Sequence, residues 1–135
     1  MEFVTLGLLM LVPLVYLVVA MGRVQAASFA ADGSARAAAR AFVAAPSEQE
    51  GHARARAAVR LGLRDQGFDA ASAGSMELRC ADDPCLSPGA RVMVTVTVEV
   101  ILPGVPKVVD GAVPAHVTVR ATQVATVDLF RPVLP

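Results

Sequence analysis

Residues 1–23 read MEFVTLGLLMLVPLVYLVVAMGR, and the architecture depends on how they are read. No residue from Phe3 to Gly22 carries a charge. As a helix, that run covers about 30 Å, the thickness of a bilayer's hydrocarbon core. A secretory signal has a basic leading region and an apolar core of only about 7–15 residues. Here no lysine or arginine precedes the run, and the run is longer. The adjoining Val24-Gln25-Ala26 still has the small-residue pattern of a cleavage site, so an export signal stays open beside an anchor. Pro13 falls mid-run, where lipid-embedded helices tolerate proline as a kink. Glu2 sits against the N-terminal end, and a carboxylate at the edge of a lipid-buried helix is costly unless it reaches water or a cation. Arg23 and Arg36 come after the run, so the positive-inside rule taken literally places the C-terminal part of the chain in the cytoplasm.

Past Arg23, VQAASFAADGSARAAARAFVAA (residues 24–45) is rich in alanine, the best helix former, and predicts that the helix continues past the membrane. Its weak point is Asp32-Gly33-Ser34. Asp32, Arg36 and Arg40 recur every four residues and make a charged face with a local ion pair. Ala26, Ala30, Gly33, Ala37 and Ala41 make a face of small side chains, either a close-packing surface or the filling of an ordinary amphipathic helix. Pro46 ends the helix at Ala45. Ser47-Glu48-Gln49-Glu50 is a capping box that starts a second helix, which runs to about Gln66 and stops at Gly67. Ala53, Ala57 and Leu61, supported by Ala58, are its expected buried stripe. His52, Arg56, Arg60 and Arg64 are its basic stripe, a solvated face or a dock for an acidic partner.

The remaining chain is β. Residues 75–80 form a short strand. Residues 91–102, RVMVTVTVEVIL, alternate strictly, with five valines (Val92 to Val100) on one side and Thr95, Thr97 and Glu99 on the other. Residues 116–130 repeat the pattern, with Val117, Val119, Ala121, Ala125, Val127 and Leu129 inward, Gln123 interrupting and His116 on the polar side. Pro103, Pro106 and Pro114 fence off a long loop between these strands. A sheet with one apolar face needs a cover, which the second helix is expected to supply. The fold class is α+β: a long N-terminal transmembrane helix, a second helix and a small antiparallel sheet of about three strands. Residues 1–22 are the membrane segment, 23–45 the helix continuing from it, and 46–135 an extracytoplasmic α+β domain.

Twelve basic and twelve acidic residues balance, so no global field draws nucleic acid or an acidic substrate. The chain has no tryptophan and one tyrosine, Tyr16, too few aromatics for a surface that stacks bases. Cys80 and Cys85, in RCADDPCLSPG, are close enough in sequence to pair. Outside the cytoplasm a disulfide is their expected state, whereas a metal site lacks two further suitable ligands. No histidine stands beside a candidate nucleophile and a carboxylate, and no glycine-rich phosphate loop is present. An enzyme is not expected, and neither is a cofactor.

The order of parts is a glutamate-aromatic pair, an apolar helix, an alanine-rich continuation and a small cysteine-paired sheet. It resembles the TadE-like minor pseudopilins of tight-adherence (Flp-type) pilus systems, most clearly over residues 2–42. In that family a prepilin peptidase cuts after a glycine a few residues before a glutamate followed by an aromatic. Glu2-Phe3 matches that pair, although only Met1 precedes it here. The resemblance implies a pilin-like fold and a single-pass protein of the bacterial inner membrane, with the N-terminus cytoplasmic and the C-terminal domain outside. It also implies partners: other pilin-like subunits and Tad assembly proteins through the N-terminal helix, and the peptidase if a leader precedes this chain. Glu2 would then meet the amino terminus of an adjacent subunit, with Phe3 and Pro13 in the assembling helix. A membrane-tethered binding module unrelated to pili is the second expectation, and an exported enzyme with a cleaved signal the third.

Overall fold

A computed structural model describes residues 1–69, 73–104 and 116–132. Two helices, α1 (Glu2–Val43) and α2 (Glu48–Asp65), precede three strands, β1 (Ala73–Cys80), β2 (Arg91–Ile101) and β3 (His116–Thr126). The sheet is antiparallel in the order β1-β2-β3. This is the expected α+β, pilin-like layout. The proline-fenced loop lies outside the described residues from position 105 to 115.

α1 is one helix of 42 residues, about 63 Å long at the standard rise. It passes through Pro13 and through Asp32-Gly33-Ser34 without a break. In the latter stretch the Asp32 carboxylate is engaged: Arg36 pairs with it at 3.3 Å, and Gln123 Nε2 donates to Asp32 Oδ1. Gln123, which interrupts the apolar face of β3, is thus the residue that ties the strand to the helix.

The buried stripe of α1 is Ala27, Ala30, Ala31, Ser34, Ala35, Ala38, Ala39 and Phe42. Of the small-residue face expected from sequence, only Ala30 is fully buried, while Gly33 and Ala37 face solvent. In a segment that is mostly alanine, composition does not distinguish the two faces; the sheet selects between them. α1 also supplies the cover for β2 and β3, which corrects the assignment of that role to α2. α2 packs chiefly on α1, and its main contact with the sheet is a small one with β1.

The stripe of α2 is corrected as well. Gly51, Ala55, Val59 and Leu63 are buried, whereas Ala53, Ala57 and Leu61 are exposed. Glycine decides this. A Cβ on Gly51 would stand 2.9 Å from Phe42 Cδ2, and one on Gly62 would stand 2.6 Å from Ser34 Oγ. The two backbones approach so closely that only hydrogen fits between them at these points. His52 is half-buried at the edge of the seam, its ring edge-on to Phe42 at 5.2 Å, so it is no member of a solvated stripe.

α2 begins with Ser47 accepting from the Glu50 amide at 3.3 Å, half of the expected capping box. The Glu50 carboxylate pairs instead with Arg54 one turn on. The helix ends in a Schellman motif: Gly67, at φ 77°, donates to Arg64 O, and Phe68 N–H donates to Leu63 O. Phe68 and Leu63 are both in the core, as that motif's apolar contact requires.

In β2 the five valines are buried, and together with the α1 stripe they make the centre of the core. β3 ends at Thr126, four residues before the expected boundary. Val127 remains buried, but Leu129 turns outward and is 70% exposed. Beyond Thr126 the chain leaves the ladder: Val127 N–H donates to Ala90 O, and Phe130 N–H donates to Asp128 Oδ1 in a turn.

Candidate assembly and anchoring surface

α1 extends out of the domain, and its residues before Tyr16 stand clear of the described part of it. Its first fully buried residue is Ala27, about 38 Å along the axis from Glu2. The helix is long and apolar enough to cross a membrane, and none of that apolar window is buried. Phe3 is 91% exposed, and Leu6, Leu9, Met10 and Leu17 are exposed around the helix. A protein in water rarely presents such a surface, so it requires lipid or other helices around it.

Glu2 and Phe3 occupy the first turn of α1. A carboxylate there is favoured by the partial positive charge of the helix N-terminus. Among the described residues Glu2 makes no ion pair within the chain. Thr5 Oγ1 donates to Met1 O at 3.1 Å, closing the first turn. Pro13 has no amide hydrogen, so the Leu9 carbonyl lacks its helical donor. At 100° per residue, Glu2, Leu9 and Pro13 fall close to one line along the helix, and that line continues into the buried stripe at Ala27, Ala31 and Ala38.

At the far pole Cys80 and Cys85 form a disulfide, with sulfurs 1.97 Å apart and Cα atoms 5.2 Å apart. The Cys85 N–H donates to Glu48 Oε1 at 2.7 Å, so the loop is fastened to the first turn of α2. Arg131 fastens the chain's end in the same way, donating to the carbonyls of Val43 and Ala45 at the close of α1. Pro46, Glu48, Pro84, Leu86 and Arg131 line a shallow hollow of about 240 Å³ there. The two sets of sequence-identified residues, Glu2/Phe3/Pro13 and Cys80/Cys85, thus lie at opposite ends of the molecule. Sequence reasoning missed Glu48, Gln123 and Arg131. The signal that could have found them is a polar residue breaking an apolar pattern, and only Gln123 gives it.

Among the described residues no group of three or more His, Cys, Asp or Glu side chains is placed to hold a metal ion. Compared with known protein families, with characterised proteins and with solved structures, the chain matches none.

Proposed function

We propose that this chain is a structural, non-enzymatic minor pilin-like component of a Tad-type pilus or secretion apparatus. It is anchored in the bacterial inner membrane by α1 and assembles through α1, with the sheet domain outside the cytoplasm. One observation carries this reading. A single continuous helix is apolar and largely exposed over its first half, carries a lone carboxylate at its tip, and forms the spine of a small sheet domain with its second half. A plain tether needs about 20 apolar residues and no continuous rigid link into the domain. A helix about twice that length keeps the tip and the domain in fixed register, as a subunit stacked by its helix requires. Glu2 is the group that pairs with the amino terminus of a neighbouring subunit once packed helices exclude lipid. Mass spectrometry of the mature N-terminus, taken from the host's membranes, tests the reading. An N-terminus within a few residues of Glu2, with α1 retained, supports it, and cleavage near Ala26 defeats it.

A membrane-tethered binding module is the second reading. It is favoured by the hollow at the far pole and by Leu129 and Phe130 standing exposed beside Arg131.

A further inference from the structure

The two outer strands of the sheet are built differently. β1 has 8 residues, and its pairing with β2 slips between Ala73 and Met76. β3 pairs with β2 over all 11 residues, from His116 opposite Ile101 to Thr126 opposite Arg91, without a slip. Among the described residues no strand pairs with its other side. Outer strands are ordinarily kept from joining other chains by proline, lysine, inward charges, bulges or shortness. β3 has none of these, and its one permanent charge, Arg120, is on the outward face.

The core is also incompletely covered along this strand. The inward valines of β2 are buried, whereas Val119, Ala121 and Ala125 of β3 are half-buried. The flank of α1 beside them is open as well. Asp32, bonded to Gln123, is on that flank, and Arg36 and Arg40 line a hollow of about 270 Å³ with Gln123, Val124 and Ala125. Phe29 falls on the same flank by helical spacing and is 75% exposed. It stands about 4.5 Å from Asp32 toward the helix N-terminus, close to the level of Ala121. A strand added along β3 would satisfy the edge and pack its inward side chains on Ala121 and Phe29.

The chain itself supplies a fitting strand. β1 and β3 both run antiparallel to β2 and hence parallel to each other. The sheet runs along α1, with Gln123 at Asp32 and Gly104, just past β2, at Tyr16. Copies anchored by α1 in one bilayer therefore have their strands aligned. Setting one copy beside another brings β1 of the second against β3 of the first, with the apolar faces on one side. A β3–β3 contact does not do this. Run antiparallel it reverses α1, and run parallel it turns one apolar face outward. Charge agrees with β1 as the occupant. Arg120 has no carboxylate partner among the described residues, and Glu77 stands on the outward face of β1. Glu77 and Thr122 are both opposite Thr95, so in copies at equal height Glu77 comes beside Thr122 and diagonal to Arg120.

We infer that the β3 edge, together with Phe29, is a docking site for β1 of a second copy, which joins neighbouring domains into one continuous sheet. The contact is heterologous, so it repeats from copy to copy. The inference rests on the anchoring part of the function proposed above, which makes the copies parallel.

Crosslinking in vesicles of phosphatidylethanolamine and phosphatidylglycerol tests it. The full chain carries Ser75→Cys on β1 and Thr122→Cys on β3, both exposed positions. A short bismaleimide joins thiols on adjacent strands, whose backbones are about 5 Å apart. Cys80 and Cys85 are joined to each other and do not react. The double variant is expected to give a ladder of dimers, trimers and longer chains, and each single variant monomers. Phe29→Ala, a change at an exposed position, should reduce the ladder several-fold. With the chain held in the vesicles through alkaline carbonate, three results overturn the inference alone: no ladder, a ladder indifferent to Phe29→Ala, or dimers from Thr122→Cys by itself. A chain that carbonate extracts overturns the anchoring and the inference with it.

Discussion

The guanidinium of Arg131 donates to the backbone carbonyl of Val43, 88 positions earlier, at 3.0 Å, and also to that of Ala45. The last turn of any helix leaves carbonyls without partners, and a cation there also meets the negative end of the helix dipole. Arg131→Met keeps the apolar stem and removes both bonds. It is expected to cost about 1–3 kcal/mol in urea unfolding of the full chain in detergent. Arg131→Lys should restore less than half of that, because a point charge does not reproduce the fork that reaches two carbonyls. Full restoration by lysine would show that charge alone matters.

The α1–α2 seam gives a coupled pair. Ser34 Oγ is buried and, among the described residues, has no hydrogen-bond partner, and a Cβ on Gly62 would meet it at 2.6 Å. Ser34→Ala removes an unsatisfied oxygen and should be neutral or stabilising. Gly62→Ala gains helix propensity but collides with that oxygen. In the Ser34→Ala background the collision is gone, and Gly62→Ala should be more favourable by about 1 kcal/mol than in the wild-type chain. A double-mutant cycle of unfolding free energies reads this directly, and strict additivity would refute the contact.

The disulfide and its fastening to α2 make three predictions in one place. Opening a loop this small should cost about 2 kcal/mol, and Glu48→Ala, which frees the Cys85 amide, about 1 kcal/mol. In protein taken from the host without reductant, Cys80 and Cys85 should resist alkylation. Free thiols there would place the domain in a reducing compartment and contradict the proposed orientation.

Much of this architecture was legible in the sequence because its signals are local. The uncharged run, the five alternating valines of β2, Pro46 with Ser47 and the stop at Gly67 each mark an element by its own chemistry. What failed was the choice of faces. Within residues 24–45 alanine lies on every side, so the helical period carries no contrast, and the sheet determines which alanines are buried. In α2 the pattern Ala53-Ala57-Leu61 looked apolar, yet the seam is set by Gly51 and Gly62, whose contribution is the lack of a side chain. The same holds for the polar fasteners. Glu48 and Arg131 act across 37 and 88 positions, on partners that only the fold brings near. At the other end, Glu2 and Phe3 were legible as a pattern, but the role proposed for them lies between molecules.

That role is open to a direct measurement. The proposed function requires Glu2 to hold neighbouring subunits together through a charge pair shielded from water. Glu2→Gln keeps the size and the helix but removes the charge. The full chain is expressed in its host and solubilised in mild detergent, and the pilin-like subunits that co-isolate with it are quantified for wild type and variant. The expected result is equal membrane insertion and at least a tenfold drop in co-isolated subunits, about 1.4 kcal/mol of lost pairing. Equal insertion with undiminished co-isolation, or no pilin-like subunit with the wild-type chain, would contradict the proposed function.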